Sequence, residues 1–116
     1  MEKKTVKKPT KSLTNNEIVE LIYETATGCY GIVGICDKDI GNKKATPLDA
    51  SKAKKGILCL RHTTNDEFSV SVYVILASDV KISETIRETQ KALRYALNKK
   101  TGNKCRKVDI YAMAII

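Results

Sequence analysis

Tryptophan is absent from the 116 residues, and Phe and His occur once each. One His leaves little material for imidazole metal sites or for histidine acid–base chemistry. The four cysteines, Cys29, Cys36, Cys59 and Cys105, form no C-x-x-C pair, so the close ligand spacing of a structural zinc site is missing and the lone His62 does not repair it. They read as reduced thiols packed like small hydrophobes. The glycines make neither G-x-G-x-x-G nor a phosphate-binding loop, and Asp37, Asp39, Asp49 and Asp66 lack calcium-loop spacing. No cofactor, metal or catalytic residue is expected. No apolar run is long either. The best, residues 70–77, falls far short of the ~20 residues of a membrane-spanning helix, and Met1, Glu2, Lys3 and Lys4 open no apolar leader. The expected location is the cytoplasm.

What remains, 42% hydrophobic and 29% charged residues, describes one soluble globular domain with a core of its own. Lys and Arg number 21 against 13 Asp and Glu, a net charge of +8. Residues 1–12 hold five Lys and one Glu, and residues 37–55 hold six Lys and three Asp, so most of the excess sits in two segments without periodicity. The first reads as a disordered basic tail, with the folded domain spanning 13–116. A Lys-rich tail of this kind can also attach to anionic lipid.

Thr14, Asn15, Asn16 and Glu17 match a capping box, and Ile18, Leu21, Ile22, Thr25 and Cys29 follow a helical stripe that Gly28 or Gly31 ends. Ile32 to Cys36 predicts a short strand in which Gly34 marks a bulge or a close backbone approach. A Lys-rich loop follows, with a turn of helix from Leu48 onward. Residues 57–62 and the alternating Phe68, Val70, Val72, Val74 and Leu76 predict a β-hairpin with one apolar face. Ser83 is the expected cap of a second helix with Ile86, Thr89, Leu93, Ala96 and Leu97 inward, Lys99 and Lys100 at its C-terminal dipole, and Gly102 just beyond. Residues 105–116 form a last strand, apolar on both faces toward its end, which predicts an interior position or a covered edge. The order α-β-β-β-α-β, with a strand–helix–strand crossover, predicts an α/β (α+β) two-layer sandwich: a small mixed sheet with two helices on one face.

One constellation stands out. Lys91, Arg94, Lys99, Lys100, Lys104, Arg106 and Lys107 fall in a stretch without a single acid, beside Tyr95. Such a patch suits RNA phosphates, although it equally suits a solvated helix end. One Phe and five scattered Tyr supply no evident pair of strand aromatics for base stacking. Cys59 and His62, three apart on a strand, point to opposite faces and cannot cooperate.

The run Cys29, Tyr30, Gly31, Ile32, Val33, Gly34, Ile35, then Gly56, Ile57, Leu58 and a Val-rich strand, resembles the alkaline shock protein family of Gram-positive bacteria. Lys81, Ile82, Ser83, Glu84, then Gln90, Thr101 and Gly102, and finally Val108, Asp109, Ile110 and Tyr111 look like its second helix and closing strand. Gly31, Gly34, Gly56 and Gly102 are the motif glycines. Where the family often has Tyr-Gly after the Val-rich strand, this chain has Ala77, Ser78 and Asp79. The resemblance implies a protein without catalytic residues, linked to envelope stress and homeostasis. It would act by self-association or by binding partners, including membrane-anchored ones that place it at the membrane periphery.

Overall fold

The computed structural model describes residues 13–40, 44–62 and 66–116. The basic tail, three residues of the Lys-rich loop and three of the hairpin connection lie outside the described residues. Helix α1 (Asn15–Thr27) opens with the expected capping box: Thr14 Oγ1 accepts from the Glu17 N–H at 3.1 Å, and Glu17 Oε1 accepts from the Thr14 N–H at 2.8 Å. It ends at Gly28, and the buried stripe is Ile18, Ile22 and Ala26. Strand β1 (Ile32–Ile35) follows, then a 3-10 helix (Ala50–Gly56) where only a turn was expected. Asp49 caps that helix by accepting from the Lys52 N–H and the Ser51 hydroxyl, and the Ser51 bond foremost holds its carboxyl below the usual range.

Strands β2 (Ile57–Arg61) and β3 (Phe68–Leu76) form the expected antiparallel hairpin. Helix α2 (Ile82–Thr101) carries the chain across to β4 (Cys105–Ile115), which runs parallel to β3 from Phe68↔Cys105 to Leu76↔Ile115. Strand β3 is therefore central. One side is lined by β4, the other by β2 and β1 set end to end, antiparallel at Phe68–Val72 and at Val74–Leu76. Phe68, Val70, Val72 and Val74 meet Ile18, Ile22, Leu93 and Leu97 in one core, which gives the expected two-layer sandwich with a mixed sheet. Buried Thr89 and Thr101 satisfy their hydroxyls on the carbonyls one turn back, both at 2.8 Å, so polar side chains sit in the apolar stripe without an unpaired donor.

One expectation fails and a second is met in part. Helix α2 starts at Ile82 on Lys81, whose side chain makes no cap bond, and Ser83 lies inside the first turn. The Thr85 N–H reaches the Lys81 carbonyl at 2.9 Å, so helical bonding begins before the residue best suited to cap it. Strand β4 is not interior, and among the described residues only the first half of its outer edge is covered, by Gln90 and Arg94 of α2. It pairs with β3 alone, and Ile115 and Ile116 stay about half exposed. An apolar run reports two-sided burial only where layers lie on both sides; here, among the described residues, no helix lies on one face of the sheet.

Candidate functional site

The fold splits the seven expected cations into two groups. Lys91, Arg94 and Lys99 on α2 surround a shallow depression of about 450 Å³ with Tyr95, Asn98 and Asn103, and Lys99 Nζ lies 5.8 Å from the Tyr95 ring centre. Lys100 is exposed one position further on. Arg94 turns toward the strand, donating through Nη2 to the Arg106 carbonyl at 3.1 Å. Arg106 and Lys107 belong to another surface. Arg106 stands 3.4 Å from Glu67 and Lys107 3.7 Å from Asp109, and both line the sheet's bare side. Lys104 is half-buried in the turn between the groups.

Each motif glycine has a steric reason. Gly31 (φ +88°) and Gly102 (φ +71°) hold left-handed backbone, Gly102 ending α2 with its N–H on the Asn98 carbonyl at 2.9 Å. At Gly56 a Cβ would collide with the Cys36 carbonyl oxygen, which holds the start of β2 against the end of β1. A Cβ on Gly34 would meet Pro47 at 2.8 Å, the close approach expected there, and the strand register slips between Ile32 and Gly34.

The registers also build a site that sequence patterning missed. On the bare face the three strands stack in rows: Leu60, Ser69 and Lys107; then Leu58, Ser71 and Asp109; then Tyr73 beside Tyr111. Two short serines floor the centre while longer side chains stand on both flanks, and the result is a trough of about 780 Å³. His62 closes one end, its Nε2 3.1 Å from Ser69 Oγ. In the next row of that face, outside the trough's lining, Tyr73 and Tyr111 stack at 4.9 Å between ring centres and 20° between planes. The strand-aromatic pair that the sequence seemed to lack is thus present, assembled from residues far apart in the chain. Alternation along β3 could have placed Ser69, Ser71 and Tyr73 on one face; only the β3–β4 register brings Tyr111 to it.

The outer edge of β4 is treated unequally along its length. Gln90 Nε2 donates to the Val108 carbonyl at 3.0 Å and Arg94 to that of Arg106, so α2 side chains occupy the first half. Beyond Ile110 no described strand pairs with it, and from Tyr111 to Ile116 no side chain is charged.

The thiols offer little reactivity. Burial pushes Cys36, Cys59 and Cys105 above the ordinary thiol range, Cys36 further by the Asp37 charge. Among the described residues no group of three or more His, Cys, Asp or Glu is placed to hold a metal ion, and no helix is long and apolar enough to cross a membrane.

Comparison with known proteins agrees with the sequence motifs. Residues 4–116 match the model of the ASP23 family, described as having a cell envelope-related function. The chain is 25% identical over 103 residues to the uncharacterized protein YloU of Bacillus subtilis, covering 87% of this chain and 84% of that one. It is 28% identical over 104 residues to the uncharacterized protein Spy1614 of Streptococcus pyogenes, covering 89% and 84%. A solved structure of a MamM variant superposes with a TM-score of 0.48 at 14% identity, over 88% of this chain and 87% of that one.

Proposed function

The chain belongs to the ASP23 family, with its cell envelope-related function, and on that footing we propose that it is a non-catalytic interaction protein that self-associates through the outer edge of β4. The observation that carries this reading is the division of that edge. Edge strands invite pairing with another chain unless they are short, charged or covered. Strand β4 runs 11 residues, and only its first half is covered, by Gln90 and Arg94. The uncovered half reads Tyr111, Ala112, Met113, Ala114, Ile115 and Ile116. An antiparallel copy centred on Met113 would set residues 111–115, whose side chains are uncharged, against one another, adding ladder hydrogen bonds without like-charge apposition on a chain of net charge +8. A membrane-anchored partner offering its own strand would use the same edge.

Light scattering on a concentration series tests this. The wild-type mass should rise from monomer toward dimer or beyond, and Met113→Lys, which sets two cations face to face, should hold it at monomer. A strictly monomeric wild type at the highest concentration, together with no envelope protein captured by it, would sink the reading.

A second reading rests on Lys91, Arg94 and Lys99 gathered around Tyr95: RNA binding through the basic cluster of α2. It predicts retention on RNA that falls steeply with salt and disappears in the charge-reversed protein Lys91→Glu, Lys99→Glu, Lys100→Glu.

A further inference from the structure

We propose that the bare face of the sheet binds a second copy of this chain, face to face, about a two-fold axis that crosses the strands between Ser69 and Ser71. This contact is separate from the β4 edge and does not depend on it. The registers give the face three columns: Leu58 and Leu60 on β2, Ser71 and Ser69 on β3, Asp109 and Lys107 on β4. Rotation about an axis across the strands keeps each column over itself and exchanges the rows. Leu60 then lies over the copy's Leu58 and Leu58 over its Leu60. Ser69 lies over the copy's Ser71, and Lys107 over its Asp109, each with the reciprocal pair beside it. A two-fold contact needs such reciprocity, because a residue that meets another is met by it in return. The alternative axis, along the strands, would lay the leucines on Lys107 and Asp109. The chemistry of the columns selects the first.

Charge favours a second copy over a partner of one sign. Two chains of net charge +8 repel, so they meet best where charge is balanced, which the α2 cluster is not. On the bare face Lys107 stands 3.7 Å from Asp109 and Arg106 3.4 Å from Glu67, and the two-fold turns the first pair into a ring of four alternating charges. Exposure agrees. Leu60 is 64% exposed and Leu58 41%, and the dimer takes both from water. The facing serine hydroxyls both donate and accept, directly or through a shared water. One row further out, the same rotation brings Tyr111 toward the copy's trough end, lined by His62 and Arg106, where an exposed guanidinium can lie on an exposed ring. Packed sheets lie about 10 Å apart with strands turned by roughly 30°, an angle that strand twist supplies. The contact is small. From the His62 row to the Tyr73 row the face spans roughly 10 by 20 Å between backbone atoms, below the ~800 Å² per partner of a standard interface. It therefore fills only toward millimolar protein, above the range in which scattered light reads the edge, and anything that gathers copies raises its occupancy.

The test is amide NMR of the full chain on dilution from about 1 mM, with thermal melts to confirm folding of each variant. Lys107→Glu leaves two carboxylates in the facing positions and Asp109→Lys leaves two cations, so each should dimerise about tenfold more weakly than the wild type. Mixed, the two should pair with each other about tenfold more tightly than either pairs with itself, although both keep a large net positive charge. The signals that move should be those around Ser69 and Ser71, and added salt should weaken the mixed pair. Leu60→Asp should weaken the dimer by a similar factor, and it replaces a charge variant that does not fold. A mixture no tighter than its components would overturn the proposal, as would a Leu60→Asp protein that associates as well as the wild type. So would a wild type whose Ser69 and Ser71 signals stay fixed over the whole range while those of Met113 to Ile115 move, which would leave the β4 edge as the contact in solution. A wild type in which neither set moves would overturn this proposal and the edge reading together.

Discussion

The two faces of strand β3 are made of different material although they alternate residue by residue. Phe68, Val70, Val72 and Val74 are buried to the last few per cent, while Ser69, Ser71 and Tyr73 remain partly open. The helix-side face holds the fold together. The other contributes hydroxyls, a stacked ring and little apolar area. The lesson is that core and candidate site share one strand, so a single-residue slip of register would exchange them.

The comparison predicts unequal costs of truncation. Phe68→Ala should lose about 3–5 kcal/mol of stability and Leu93→Ala about 2–5 kcal/mol, read from urea unfolding midpoints, because each leaves a cavity among fully buried neighbours. Ser71→Ala on the opposite face should stay within about 0.5 kcal/mol. Equal losses on both faces would mean that something covers the bare side in solution. Gly56→Ala should come next, at about 1–3 kcal/mol, since a methyl there strikes backbone rather than a side chain that can move.

How much of this was legible follows the same division. The helices, the hairpin, the capping box and the positions of the glycines could be read because they depend on local chemistry: a hydroxyl three residues before a carboxylate, a 3.6-residue stripe, an alternation of two. The tyrosine pair could not. Tyr73 and Tyr111 meet only through the parallel register of β3 and β4, which the α2 crossover sets and no local pattern encodes. The choice between an interior and an edge position for β4 stayed open for a related reason, since hydrophobicity reports what a residue avoids and not which neighbour is present. The basic run of 91–107 looked like one patch because sequence distance cannot show that a turn at Gly102 sends its two halves to different surfaces.

Smaller effects sharpen the contrast further. Thr14→Ala removes the capping oxygen and should cost about 1 kcal/mol, with the loss confined to α1 in amide exchange. Tyr111→Ala should cost about as much or less, since the ring gives up a stacked partner worth about 0.5–1.5 kcal/mol and little buried area. That variant is the sharpest instrument available. A large loss of stability from it would make the bare face structural and remove the reason to look for a partner there.

The smallest effect belongs to the thiols. Cys36 and Cys105 lie on the protected side of the molecule, almost wholly inaccessible, and burial raises both above the ordinary range, as it does for Cys59. In the unfolded chain they ionise near pH 8.5, whereas in the folded protein they hold their protons to higher pH. The unfolded state therefore binds fewer protons than the native state in this window, and stability must fall as pH rises through it. Below about pH 7 the thiols are neutral in both states and contribute no slope. Urea midpoints measured from pH 7 to 10 should stay level with respect to the thiols at first and then decline, and Cys36→Ala combined with Cys105→Ala should shallow the decline even though it lowers the starting stability. A decline of the same steepness in that variant would mean that the buried thiols do not carry the alkaline loss, and the contrast between a sealed side and an open one would not extend to proton binding.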